Sequence, residues 1–283
     1  MRFGRFEGAD RGRFWAVVDA DEQTVRPIDE DFSTWAARFS AEGDGALDLS
    51  APPIDLSSLV RLAPYEPGAR IFGCGANYWE HLKHTGLFEE PPTVPVAYFK
   101  ADSSIIGPDS EIRHASYTDQ LDYEVELVAV VGRALEPDAP ASASLLGYSV
   151  GNDVSIRDTD DPFGTPDLFT MKGADRMSPV GPYVYSNDEV GGVGQPSLDI
   201  SLRVNGEVRQ HDNTKNIIFS IDFLLEWINL RNTLRPGDLL YTGTPAGSAT
   251  EHGQQRFLRP GDVVEAEIER LGVLRNTVGE KET

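Results

Sequence analysis

Cysteine is nearly absent from this chain. Cys74 is the single thiol in 283 residues, which excludes an intrachain disulfide and a cysteine-ligated metal cluster. Long apolar runs are missing too. No segment reaches the length needed to span a bilayer, and the first residues lack the apolar stretch of a signal peptide. A cytoplasmic protein is expected. Positive charge is scarce: 25 Lys and Arg stand against 46 Asp and Glu, a formal charge of −21. That balance argues against nucleic acid or an anionic membrane as a partner. Lysine occurs only at positions 83, 100, 172, 215 and 281. There is no P-loop, no Gly-x-Ser-x-Gly elbow and no dinucleotide fingerprint. Gly191-Gly192-Val193-Gly194 follows no clear strand and opens no helix, so it makes a poor phosphate loop.

What is present reads mostly as strand and turn. Arg2 to Phe6 and Phe14 to Val18 look like paired strands, and Asp31 or Ser33 is placed to cap a short helix carrying Phe32, Trp35, Ala36 and Phe39. Residues 1–68 are expected to form a small N-terminal domain and 69–283 the main one. Asn205-Gly206 between Leu198–Val204 and Glu207–Gln210 predicts a type I′ hairpin. Asn213 or Thr214 is expected to cap a helix with a stripe of Ile217, Ile221, Leu224, Leu225 and Ile228. Arg-Pro-Gly-Asp occurs at 235–238 and again at 259–262, each time a type II turn before a strand. Thr159 to Pro166 reads as loop.

The chemistry centres on Leu121 to Leu127. In an extended chain Asp122, Glu124 and Glu126 share one face, while Tyr123, Val125 and Leu127 share the other. Val128 to Gly132 then reads as a strand buried on both faces. The acidic row has two readings. It is the wet face of a half-solvated strand, or it turns inward, where repulsion and desolvation call for a cation. Asp153 ends another apolar strand and is either a turn residue or a third ligand. Glu124, Glu126 and Asp153 form an oxygen-only set suited to Mg²⁺, Mn²⁺ or Ca²⁺ rather than zinc. Arg157 and Lys172 are either surface charge or anion holders, and Lys172 sits between an apolar stretch and Gly173. His81 is the best general base on offer, with His84 one helical turn on. His114, His211 and His252 are scattered in polar context.

Taken in order, these segments resemble the fumarylacetoacetate hydrolase family. The matching runs are Gly75-Ala76-Asn77-Tyr78 with His81, Asp122 to Leu127, and Gly147-Tyr148 with Asn152 to Asp158. Lys172 to Asp175 with Pro179 to Pro182, Val204 to Gly206, Leu234 to Asp238 and Thr242 to Gly247 follow. The resemblance implies an α+β, mostly β catalytic domain built as a mixed β-sheet roll, usually a homodimer. It implies Mg²⁺ or Mn²⁺ at Glu124, Glu126 and Asp153, catalytic roles for His81 and Lys172, and substrate contacts from Tyr78, Arg157 and Thr244. The implied substrate is a small anionic 2-oxo or 1,3-diketo acid, cleaved at a C–C bond through an enolate at the metal. Decarboxylation, isomerisation and hydration are the family's other reactions, and a non-catalytic binding paralogue is the remaining reading. One position departs from the pattern. Many small members carry a glutamate three residues after the lid histidine, and here that residue is His84. The carboxylate partner of His81 is then expected from Glu80, Glu89 or Glu90. Specificity is expected to reside in Leu82 to Pro95 and Thr159 to Phe169.

Overall fold

Alternating apolar patterns and glycine turns assemble the described residues into two large sheets, with a core between them, and a two-stranded ribbon. The computed structural model describes residues 1–86, 89–159, 167–251 and 255–283. The larger sheet runs across Ile54–Asp55, Thr24–Ile28, Gly12–Val18, Arg2–Gly8, Ser178–Tyr185, Leu145–Asn152, Val125–Val131, Leu239–Tyr241, Ile71–Gly75 and Val96–Lys100. Along this path only Leu239–Tyr241 beside Ile71–Gly75 is parallel. The second sheet orders Glu207–Asn213, Asp199–Val204, Val263–Ile268, Gly272–Lys281 and Glu111–His114. The α-helices of the described residues are α1 (Phe32–Glu42), α2 (Trp79–Thr85), α3 (Leu168–Gly173) and α4 (Ile221–Asn229).

The segment before Gly68 joins the larger sheet directly, with Arg2 opposite Tyr185 and Phe3 opposite Val184. Helix α1 buries Phe32, Trp35, Ala36 and Phe39, the four residues its periodicity selects. They pack with Phe3, Trp15, Val128 and Val130 on the outer face of the sheet. Asp31 occupies the N-cap position, although its side chain makes no capping hydrogen bond.

All seven residues of Val125–Val131 are buried. Val125, Leu127, Ala129 and Val131 enter the core between the sheets, and Val128 and Val130 enter the helix-covered layer. The acidic row is therefore not a wet face: Asp122, Glu124 and Glu126 are 0%, 4% and 1% exposed. The strand is interrupted between Asp122 and Val125. Leu121–Asp122 pairs with Ser155–Ile156, whereas Val125–Val131 pairs with Leu145–Asn152. Both chains cross over at the same level, where Asp153 N donates to Glu124 O at 2.8 Å. That crossing places Asp153 beside the acidic row.

The turn expectations hold. Asn205 and Gly206 have φ of 52° and 80°, the two positive values a type I′ turn requires. Gly237 and Gly261 have φ of 93° and 83°, as the third position of a type II turn demands. The predicted helix start at Asn213 or Thr214 is displaced. Thr214–Asn216 is a single 3₁₀ turn, and α4 begins at Ile221 behind the Ser220 cap. The cause is Asn77, whose carbonyl accepts from Ile218 N at 2.8 Å and whose Oδ1 accepts from Phe219 N at 2.7 Å. Those amides are spent on Asn77 and leave no helical turn to form. Helix α3 was not anticipated; Asp167 caps it by accepting from Phe169 N at 3.0 Å. The predicted loop at 159–166 lies outside the described residues beyond Thr159, as does His252.

Candidate active site

The crossing strands bring Glu124, Glu126 and Asp153 together, with one oxygen of each within 4.8 Å of the others. Glu126 Oε2 accepts from Gly243 N at 2.7 Å. Glu124 Oε2 accepts from Lys172 Nζ at 2.5 Å, and Asp153 Oδ2 accepts from the same ammonium at 2.8 Å. Arg157 bridges the inner acids, donating from Nε to Asp122 Oδ2 at 2.8 Å and from Nη2 to Glu124 Oε1. Asp122 thus holds Arg157 and stands outside the three-carboxylate cluster.

Electrostatics separates the three carboxylates. Burial alone would raise Asp153, but the ammonium groups of Lys100 and Lys172 outweigh it and hold Asp153 below the usual carboxylate range. Burial likewise opposes ionisation of Glu124, and Lys172 and Arg157 overcome it. Among the described residues no lysine or arginine is ion-paired with Glu126, and the pull of Lys172 is outweighed. Burial, then the charges of Asp153 and Glu124, push its carboxyl well above the ordinary range. A buried, oxygen-only set with one repelled carboxylate is the arrangement a divalent cation relieves, so the residues present fit one.

Two members of this network were not anticipated. Tyr98 donates its hydroxyl to Asp153 Oδ2, and Lys100 donates to Asp153 Oδ1 and, at 2.7 Å, to Lys172 O. The available cue was Lys100 itself, a rare lysine at the end of an apolar strand. Its ammonium is fully buried. Lys100→Met should cost about 3 kcal/mol of stability, because it leaves a buried carboxylate undercompensated; urea unfolding measures this. Gly243 also has a positional role. Its φ is 104°, and a Cβ there would lie 2.6 Å from Asn77 Cβ and 3.1 Å from Cys74 O. Gly243→Ala should therefore shift the amide that holds Glu126 and weaken Mn²⁺ binding roughly tenfold or more, read by titration.

Helix α2 carries His81 to this cluster. Its carboxylate partner is Glu251, with His81 Nδ1 to Glu251 Oε1 at 2.5 Å. The expected partners are thereby corrected: Glu80 is tied to Lys83 at 2.5 Å, and Glu89 and Glu90 are exposed. His84 Nδ1 meets the other oxygen of Glu251 at 3.1 Å, so the substitution at 84 adds a second imidazole to one carboxylate. Gly247 N at 2.8 Å and Ser248 N at 3.2 Å complete the cradle of Glu251. Burial works against its charge, but the His81 and backbone hydrogen bonds prevail and hold its carboxyl below the ordinary value. A carboxylate on Nδ1 fixes the imidazole so that Nε2 presents a lone pair.

A cavity of about 460 Å³ joins these parts, lined by His81, Glu124, Glu126, Arg157, Lys172 and Thr244 among others. Thr244 Oγ1 donates to Val125 O at 3.0 Å and accepts from Gln210 Nε2 at 2.8 Å. Tyr78 is not in the lining. It is 1% exposed, and its hydroxyl finds no hydrogen-bond partner among the described residues. Its chain neighbour Asn77 ties the site loops together, donating from Nδ2 to Thr242 O at 2.7 Å and to Phe219 O at 3.3 Å. A larger open groove of about 680 Å³ beside Trp15 and Glu66 lacks a comparable cluster among the described residues, so volume alone does not locate the chemistry.

The family profile described as fumarylacetoacetate (FAA) hydrolase C-terminal matches residues 70–279. This chain belongs to the fumarylacetoacetate hydrolase family. Its similarity to other members is extensive. It is 34% identical to the human mitochondrial oxaloacetate tautomerase FAHD2A over 235 residues, 82% of this chain and 74% of that protein. A solved 2-hydroxyhepta-2,4-diene-1,7-dioate isomerase from Mycobacterium marinum covers 100% of both chains at 30% identity and a TM-score of 0.79. The fumarylacetoacetate hydrolase of Exiguobacterium antarcticum covers 99% of both at 31% identity and a TM-score of 0.81. The mixed, mostly β fold is that of the family, and the buried Glu124, Glu126 and Asp153 are consistent with a divalent cation site typical of it. No helix among the described residues is long and apolar enough to cross a membrane.

Proposed function

We propose that this chain is an isomerase interconverting the keto and enol forms of a small 2-oxo acid, with Mg²⁺ or Mn²⁺ as cofactor. The observation that carries this reading is His81, held by Glu251 at 2.5 Å, in one cavity with Lys172 and the three carboxylates. A cation held by Glu124, Glu126 and Asp153 would supply Lewis-acid polarisation of the 2-oxo group. His81 Nε2 takes a proton from the carbon next to the ketone. The C–H electron pair becomes the new C=C bond, and the ketone π pair moves to oxygen. Lys172 stabilises the charge that develops on that oxygen. Arg157, anchored by Asp122 and Glu124, keeps Nη1 for the substrate carboxylate, and Thr244 orients it. Return of the proton to oxygen gives the enol, and no atom leaves. The names of the human and mycobacterial relatives support this choice over C–C cleavage, which the resemblance first suggested.

Hydrolysis is the second reading, with which the His81–Glu251 pair is equally compatible: a base able to take a proton from carbon can also take one from water. The Exiguobacterium relative lends it support. One experiment separates them. Purified protein with Mg²⁺ is given oxaloacetate and acetylpyruvate, and enol absorbance, acetate and carbon dioxide are followed together. Accelerated keto–enol exchange without fragments supports the isomerase. Acetate release establishes the hydrolase, and carbon dioxide above the free-metal rate a decarboxylase. We also propose that the protein is a cytoplasmic homodimer, with residues 1–68 as a small N-terminal unit whose strands extend the catalytic sheet; sedimentation tests the dimer.

A further inference from the structure

We infer that this site selects 2-oxo acids with a single carboxylate and an apolar tail over dicarboxylic ones, an inference that rests on reading the cavity as a 2-oxo acid site. The polar groups of the lining occupy only part of it. Leu82 from α2, Val96 from the edge strand, and Leu168 and Met171 from α3 supply an apolar remainder. Helix α3 packs against the strand Val96–Lys100, so Val96, Leu168 and Met171 come from two neighbouring elements. Such a surface suits hydrocarbon.

Among the described residues, cations free to hold a second carboxylate are lacking. Among the described residues only Arg157 and Lys172 bring lysine or arginine to the cavity. Both are committed, Arg157 to Asp122 and Glu124, and Lys172 to Glu124 and Asp153. The Nη1 that Arg157 retains is 3.9 Å from Met171 Sδ and serves one carboxylate at most. His81 and His84 share Glu251, so any charge on them is already faced by an acid. Residues 82–95 contain one lysine, Lys83, which is paired with Glu80, and residues 159–169 contain Asp160, Asp161 and Asp167 but no lysine or arginine. A second carboxylate would thus lose water against Leu, Val and Met without a partner. A tail gains instead, by roughly fourfold in affinity for each methylene it buries. Diacids figure in the names of the relatives, oxaloacetate and heptadiene-dioate; this cavity departs from that pattern.

Matched acylpyruvates test the inference. Butanoylpyruvate and succinylpyruvate differ only in a methyl or carboxylate terminus, as do hexanoylpyruvate and adipoylpyruvate. Dissociation constants are measured by calorimetry on the Mg²⁺-loaded protein, alongside kcat/KM. Affinity should rise from acetyl- to butanoyl- to hexanoylpyruvate, and each diacid should bind on the order of tenfold more weakly or worse. Equal or tighter binding of the diacids overturns the inference while leaving the 2-oxo acid reading intact. Binding of neither class overturns both. Leu168 is 37% exposed in the first turn of α3, where a charged residue is tolerated. Leu168→Arg should narrow the gap at least about tenfold in favour of succinyl- and adipoylpyruvate. An unchanged gap in a folded variant would show that α3 does not read the tail.

Discussion

Glu126→Gln is expected to abolish cation-dependent turnover, lowering it about a thousandfold, because polarisation by a bound divalent cation is worth several kcal/mol. The side chain is 1% exposed and sits opposite Asp153 and Glu124. The amide keeps an oxygen for the Gly243 amide, so the loop that holds residue 126 should remain in place. Stability should respond in the opposite sense. In chelator the variant loses a repelled buried charge and should melt no lower than the parent. On adding Mg²⁺ the parent should gain stability, since the cation binds only the folded state, and the variant should gain little. Thermal unfolding with and without Mg²⁺ therefore reports the site independently of any substrate. A variant that keeps both its turnover and its Mg²⁺-dependent melting shift would remove Glu126 from the cation site.

The second large effect is expected at Glu251. Glu251→Gln preserves the size of the side chain and one acceptor oxygen, which serves either Gly247 N or Ser248 N, and it removes the charge facing His81 Nδ1. Proton transfer by a positioned base contributes about a hundredfold to ten-thousandfold. The variant should lose kcat by about a hundredfold with little change in KM, whether the proton comes from carbon or from water. Its stability should change with pH in a defined sense. Glu251 is held below its ordinary value in the folded protein. It therefore stabilises the fold above its unfolded pKa, about 4.3, and that contribution disappears as pH falls through the lower folded value. The parent should lose more stability than the variant across this acid window, as followed by urea unfolding. A fall in kcat with unaltered acid stability would assign Glu251 to catalysis alone.

Much of the candidate site was readable because its parts are local. The alternation from Asp122 to Glu126 follows from the two-residue period of a strand. The apolar run after it announced a buried strand, and Asn205-Gly206 announced its turn through the positive φ those residues accept. Lys172 stood out by its rarity and its apolar flank. Tyr78 illustrates the limit of reading by motif: it stands next to Asn77 in the chain, yet it is buried and does not line the cavity.

By itself the sequence determined the sheet-forming pattern, the turns and the family, and it singled out Glu124, Glu126 and Asp153 as candidates. These depend on backbone dihedrals and side-chain periods over a few residues. Only the tertiary structure decided which partners those side chains keep. Glu251 reaches His81 across 170 residues, and Lys100 and Tyr98 reach Asp153 across 53 and 55. No periodicity links such positions. Their meeting depends on which strands become neighbours and in which register. In a low-dielectric interior that choice also determines which carboxylate is paired with lysine or arginine and which, Glu126, keeps only a backbone amide among the described residues.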